Sequence, residues 1–74
     1  MNLPNDEEAY YSKDGNLKAT ISMYNDTWYV DFFKNEVLIN YRSCKGHSIH
    51  YARSMAENYC NGILKIDSLY QTLV

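Results

Sequence analysis

The sequence predicts an α+β domain: a three-stranded antiparallel sheet packed on one amphipathic helix, followed by a short C-terminal helix or apolar tail. Three observations carry this. Between residues 17 and 42, three runs alternate apolar and polar side chains with a period of two, the signature of half-buried strands. Short turn-forming segments separate the runs. After residue 48 the apolar spacing lengthens to that of a helix.

The first run, LKATISMY, sets Leu17, Ala19, Ile21 and Met23 on one face and Lys18, Thr20, Ser22 and Tyr24 on the other, with KDGN (Lys13–Asn16) as the turn before it. Asn25-Asp26 follows; both residue types tolerate positive φ, which suits a tight hairpin. In the second run, TWYVDFFK, Trp28, Val30 and Phe32 alternate against Tyr29, Asp31 and Phe33. Lys34–Glu36 is the next turn candidate. The third run, VLINYR, places Val37, Ile39 and Tyr41 opposite Leu38, Asn40 and Arg42. Neighbouring strands joined by short turns form a meander, with the core expected from Leu17, Ile21, Trp28, Val30, Phe32, Val37 and Ile39.

Ser48 is placed to cap a helix, since its hydroxyl can accept from a first-turn N–H. Advancing about 100° per residue from Ile49, the residues Ala52, Ala56, Tyr59, Cys60 and Ile63 fall in one sector about 100° wide, a core-facing stripe. Asn61-Gly62 is the stop, where glycine takes the left-handed conformation that closes a helix. In ILKIDSLYQTLV, the residues Ile63, Ile66, Leu69, Tyr70 and Leu73 carry enough apolar surface to cover the core or meet another chain, either as a tail or as a short helix capped at Asp67.

With 74 residues the chain is one small domain, and at that length only about 60% of the unfolded surface is buried. A deep catalytic cleft is hard to build on that scale. The net charge of −2 is unevenly spread. Residues 1–16 form an acidic segment, with Asp6, Glu7, Glu8 and Asp14 against Lys13, read as a solvated tail or as a cover for the middle of the chain. Residues 17–74 form the folded domain. Its middle part is mildly basic, with Lys18, Lys34, Arg42, Lys45 and Arg53 against Asp26, Asp31 and Glu36, short of the clustered cations that phosphate binding calls for. No apolar run approaches the ~20 residues of a membrane span, and the acidic start is unlike a signal peptide. Two cysteines without an export signal imply a reducing cytoplasmic compartment and free thiols.

The stretch GHSIHYARSMAENYCNG gathers two histidines, an arginine, a glutamate and a cysteine, yet helical geometry separates them. His50 and Glu57 lie about 10 Å apart along the axis, too far for a base and its orienting carboxylate. Arg53 and Glu57 read as a surface ion pair. Cys44, His47 and His50 have the spacing Cys-x2-His-x2-His, but a closed zinc site needs four converging ligands, and Cys60 falls on the apolar stripe about 15 Å from His50. Cys60 reads as a small buried hydrophobe and Cys44 as a loop thiol. No nucleophile elbow, phosphate-cradling glycine loop or paired acidic motif occurs. The expectation is a non-enzymatic chain without a metal or other cofactor.

What stands out is the aromatic content: eight tyrosines, two phenylalanines and one tryptophan, 15% of the chain. One helix covers one face of a sheet. The other face is expected to show Tyr24, Tyr29, Phe33 and Leu38 beside Arg42, and aromatic and arginine residues concentrate at interfaces. That face is the predicted binding surface for a protein partner, with self-association into a homodimer as one form of it. The alternative is nucleic-acid binding through Lys18, Tyr29, Phe33, Arg42 and Lys45, with bases stacking on the rings.

DTWYVDFFKNEVLI followed by HSIHYARSMAENYCNGI resembles short uncharacterised accessory proteins of tailed bacteriophages, marine ones especially. In these a strand leads through a hairpin to an Ala-x3-Ala-Glu-Asn-Trp-x2-Gly-Ile helix; Tyr59 stands here at the tryptophan position. The resemblance spans Trp28 to Ile63 and implies a host-modulating or accessory protein made in an infected bacterium. A three-stranded sheet on one helix is also similar to the AP2 and integrase N-terminal DNA-binding domains. Those read DNA with a sheet face rich in arginine and lysine, where this face offers Lys18 and Arg42 beside Asp31 and rings.

Overall fold

The computed structural model describes residues 8–68, an α+β domain with an antiparallel sheet on one side and a single helix on the other. The sheet has four strands where three were expected: β1 (Glu8–Tyr11), β2 (Leu17–Tyr24), β3 (Thr27–Lys34) and β4 (Val37–Ser43), paired in chain order. Helix α1 (Ile49–Cys60) lies across β2 and β3 and touches β1.

The two central strands follow the sequence pattern. Ala19 and Ile21 of β2 stand opposite Phe32 and Val30 of β3, and all four are fully buried. The connections supply the twist that hairpins need. Asn25 and Asp26 (φ 52° and 61°) and Asn35 and Glu36 (φ 52° and 70°) each place two left-handed residues between strands, the geometry of a type I′ turn. The β1–β2 turn is tied by side chains: the Ser12 hydroxyl donates to Asp14 Oδ1 (2.7 Å), which also accepts from the Asn16 N–H (3.0 Å), while the Leu17 N–H donates to Ser12 Oγ (2.9 Å).

β1 comes from the segment expected to be a solvated acidic tail. Tyr10 faces the helix opposite Ala19 and packs against the core, and Glu8 is on the same side opposite Ile21. An inward glutamate is tolerated because Arg53 of α1 meets it in a two-point contact, Nε to Oε1 at 3.0 Å and Nη2 to Oε2 at 2.6 Å. Arg53 therefore pairs across the fold and not with Glu57 one turn along.

β4 departs from the expected alternation. Its register against β3 shifts between Phe32 and Phe33, so Phe33 faces Leu38 whereas Phe32 faces Asn40, with Ile39 as the extra residue of a bulge. A one-residue slip exchanges the faces of everything beyond it. Asn40, opposite buried Phe32, is itself buried, and Arg42 stands opposite Val30 on the helix side. Tyr41, expected in the core, stands opposite Asp31 on the far face and is 52% exposed. Val37 is also exposed, because α1 does not extend over β4.

The helix buries Ala52, Ala56, Tyr59 and Cys60 as its spacing requires, with Ile49 half-buried. Ser48 occupies the N-cap position, although its hydroxyl makes no capping bond. At the other end the Gly62 N–H donates to the Tyr59 carbonyl (3.1 Å) and the Ile63 N–H to the Asn58 carbonyl (2.9 Å), the paired bonds of a Schellman stop, with Gly62 at φ 79°. Ile63 lies past that stop and is exposed. Residues 63–68 are irregular, with Leu64 and Ile66 packed against the core, and the expected short helix capped at Asp67 would lie outside the described residues. The segment is held where the Asn40 Nδ2 donates to the Asp67 carbonyl (2.9 Å). Leu69, Tyr70 and Leu73 lie outside the described residues.

Candidate functional site

Cross-strand partners share a face, so the ladders define the outer side of the sheet residue by residue. Tyr11 of β1 is beside Lys18 of β2; Lys18, Thr20, Ser22 and Tyr24 stand opposite Phe33, Asp31, Tyr29 and Thr27 of β3; Phe33, Asp31 and Tyr29 are in turn opposite Leu38, Tyr41 and Ser43 of β4. Four of the five residues expected at a partner surface, Tyr24, Tyr29, Phe33 and Leu38, share this face. Arg42 does not, for the bulge has turned it to the helix side. In exchange the face gains Tyr41 and, from the unexpected strand, Tyr11.

The result is an aromatic sheet face with no layer of the described chain over it. Tyr11 is 62% exposed and Tyr24 67%, with Leu38 exposed and Tyr29 and Phe33 half-buried among their neighbours. Its charges sit on the two central strands. Lys18 Nζ lies 4.9 Å from the Phe33 ring centroid and 5.9 Å from that of Tyr11, within range of cation–π attraction. Asp31 stands one strand over and two residues along, opposite Thr20. Between the β1–β2 and β3–β4 turns a depression of about 360 Å³ opens on this side, lined by Tyr11, Asn16, Lys18, Phe33 and Glu36.

The residues considered for nucleic acid are divided. Lys18, Tyr29 and Phe33 share the outer face, Arg42 is behind the sheet, and Lys45 lies exposed in the loop after β4. The histidine–cysteine motif is also spread apart. Cys44, expected as a loop thiol, is 1% exposed and closes the core below Trp28, whose carbonyl accepts from the Cys44 N–H (2.8 Å). His47 lies outside with its ring stacked on Tyr51 (centroids 3.9 Å apart), and His50 is exposed on α1. Among the described residues no three His, Cys, Asp or Glu side chains converge as metal ligands. Both cysteines are free thiols, and burial pushes each up from its ordinary value.

A surface depression of about 680 Å³ lies on the opposite side, between the β1–β2 turn and the end of α1, with Asp14, Leu17, Lys34 and Cys60 on its walls. It holds no acid–base pair in contact. The Asn16 N–H and then the Ser12 hydroxyl keep the Asp14 carboxyl below its usual value, so it serves the turn. Among the described residues no helix is long and apolar enough to cross a membrane.

No protein-family model matches this chain, and no curated protein or solved structure is significantly similar to it. The arrangement of its own side chains is therefore the basis for a functional reading.

Sequence reasoning missed Tyr11 and Tyr41. Tyr11 carried a signal, as the alternation in EAYY is that of a strand, but four residues are too few to stand out. Tyr41 carried none, since the bulge that turns it outward leaves no mark in VLINYR.

Proposed function

We propose that this protein is a small non-enzymatic interaction module that binds a protein partner through the outer face of its sheet. The supporting observation is that, among the described residues, this face carries Tyr11, Tyr24, Tyr29, Phe33, Leu38 and Tyr41 around a single lysine and a single aspartate, with no layer of the described chain over it. Tyrosine alone would be ordinary on a sheet, because its hydroxyl stays wet. Phe33 and Leu38 have no such polar tip, and contiguous apolar surface of this kind marks contact sites. Tyr11 and Tyr41 join the binding residues, and Arg42 leaves them.

The phage resemblance of the segment from Trp28 to Ile63 supports an accessory or host-modulating role in the cytoplasm of an infected bacterium. The test is an affinity pull-down from bacterial lysate, with and without nuclease, comparing the native chain with Phe33→Asp. A protein that survives nuclease and is lost with the variant is the expected result; a partner retained equally by a folded Phe33→Asp chain refutes the reading.

One observation favours nucleic acid as the second reading: Lys18 lies between the Tyr11 and Phe33 rings, as in sites that stack bases and hold a phosphate. Against it, the outer face has one cation where duplex readers have several. Retention that disappears with nuclease and falls steeply with salt would favour it over a protein partner.

A further inference from the structure

Building on the reading of the outer face as a protein-binding surface, we propose that its occupant is a second copy of this chain, packed face to face about a two-fold axis so that Lys18 of each copy meets Asp31 of the other. The charge pattern of the face leads there.

Among the described residues, Lys18 and Asp31 are the only charged strand residues on the outer face; Glu8, Lys34 and Arg42 all stand on the helix side. A two-fold interface must be self-complementary, so that what residue i does to residue j, j does to i. One cation and one anion on neighbouring strands meet that condition with two identical contacts. Lys18 has no carboxylate within ion-pair distance among the described residues, only rings. Asp31 already interacts within its own protomer, but a carboxylate has two oxygens and can accept from a further donor.

The spacing fixes the geometry. Lys18 stands opposite Phe33, and Asp31 opposite Thr20, so the two charges are diagonal: one strand across, about 4.8 Å, and two residues along, about 6.8 Å. The in-plane axis that exchanges them bisects that diagonal at right angles. It makes the strands of the two sheets cross at about 70°, near the orthogonal class of sheet packing. Phe33 and Thr20, the other two corners, then fall roughly 1.5 Å from the axis, so Phe33 packs against its own copy. The centre of the interface is an aromatic pair, with the two charge contacts beside it and Tyr29, Leu38 and Tyr41 around them.

The strands comprise 4, 8, 8 and 7 residues, a flat footprint of roughly 440 Å² per copy at about 16 Å² each. Crossed at about 70°, the two footprints overlap only in part, so the pair buries less than the ~1,000 Å² of a stable specific interface and the contact is a weak, concentration-dependent one.

Sedimentation equilibrium on the full chain from low micromolar to millimolar concentration tests the proposal, with far-UV circular dichroism confirming that each variant is folded. The native chain is expected to dimerise, and Phe33→Asp, which sets two carboxylates against each other at the axis, to remain monomeric. Lys18→Asp alone and Asp31→Lys alone should each weaken dimerisation by about tenfold or more, since every reversal is repeated twice. The double exchange should restore it to within about threefold, which loss of sheet stability would not do. A native dimer indifferent to all four variants overturns the proposal. A native chain that stays monomeric but still retains a Phe33-dependent protein from lysate overturns the second copy and leaves the interaction reading standing; one that stays monomeric and retains nothing refutes both.

Discussion

The Tyr59 hydroxyl donates a 3.0 Å hydrogen bond to the carbonyl of Phe33, at the point where β4 slips by one residue against β3. The same ring meets Phe32 edge-on, with centroids 4.8 Å apart. One helical side chain thus secures the end of the central hairpin where the ladder is irregular. Tyr59→Phe keeps the ring and removes only the bond, so it should cost about 1 kcal/mol, the net worth of a typical hydrogen bond. Urea denaturation should show a lower midpoint with an unchanged slope.

Asn40 is the one buried polar side chain among the described residues, and both ends of its amide are used: Oδ1 accepts from the Tyr41 N–H (2.7 Å) and Nδ2 donates to the Asp67 carbonyl (2.9 Å). Asn40→Ala should release the segment carrying Leu64 and Ile66 from the core beside β4, at about 1–3 kcal/mol. Hydrogen exchange in residues 64–68 should accelerate more than in α1 or β2.

Glu36 adopts φ 70° in the β3–β4 turn, a conformation that costs a residue with a Cβ about 1–2 kcal/mol and glycine almost nothing. Against the greater unfolded-state freedom of glycine, about 0.4–1 kcal/mol, Glu36→Gly should still gain about 0.5 kcal/mol. For a domain of this size the melting temperature should rise by about 2–4 °C.

Stability should fall at both ends of the pH range. The hydrogen bond from Arg53 holds the Glu8 carboxyl below its ordinary 4.5, so its contribution is complete above that value and is lost as pH falls through the lower folded one. The pair is partly exposed, and solvent screening keeps its contribution small. At the alkaline end, burial raises the Tyr10 and Tyr59 phenols above 10 and the Cys44 and Cys60 thiols above 9. Their contribution is complete below the unfolded values and is lost as pH rises through the folded ones. Thermal melts should therefore drop above about pH 9, and Glu8→Gln should reduce the acidic part of the decline, Asp14 keeping a share of it, with a smaller effect at the alkaline end through Tyr10.

Most of this fold can be read from local pattern. The alternation in LKATISMY and TWYVDFFK, the Asn-Asp turn and the stripe through Ala52, Ala56 and Tyr59 all agree with the structure, because each is decided by neighbours within a few residues. What escaped depends on distant partners. Glu8 can face inward only because Arg53, 45 residues on, is there to meet it. The faces of Asn40, Tyr41 and Arg42 turn on a bulge beside which distant Tyr59 and Asp67 make their hydrogen bonds, and nothing in β4 alone marks it. The candidate site was legible to the same extent: Tyr24, Tyr29, Phe33 and Leu38 follow from period two, while Tyr41 and Arg42 are exchanged by the slip.

That slip also bears on the hazard of polymerisation at the margins of the sheet. A strand at the margin of a sheet is a template on which another strand can build, and repeated addition leads to ribbons and fibrils. β4 is long and largely exposed, the more hazardous of the two margins. Its bulge breaks the even spacing an incoming strand would need, and the Asn40 side chain already occupies the Tyr41 amide. Growth by strand addition is thereby hindered at β4, while the aromatic face, with no layer of the described chain over it, is left unaffected.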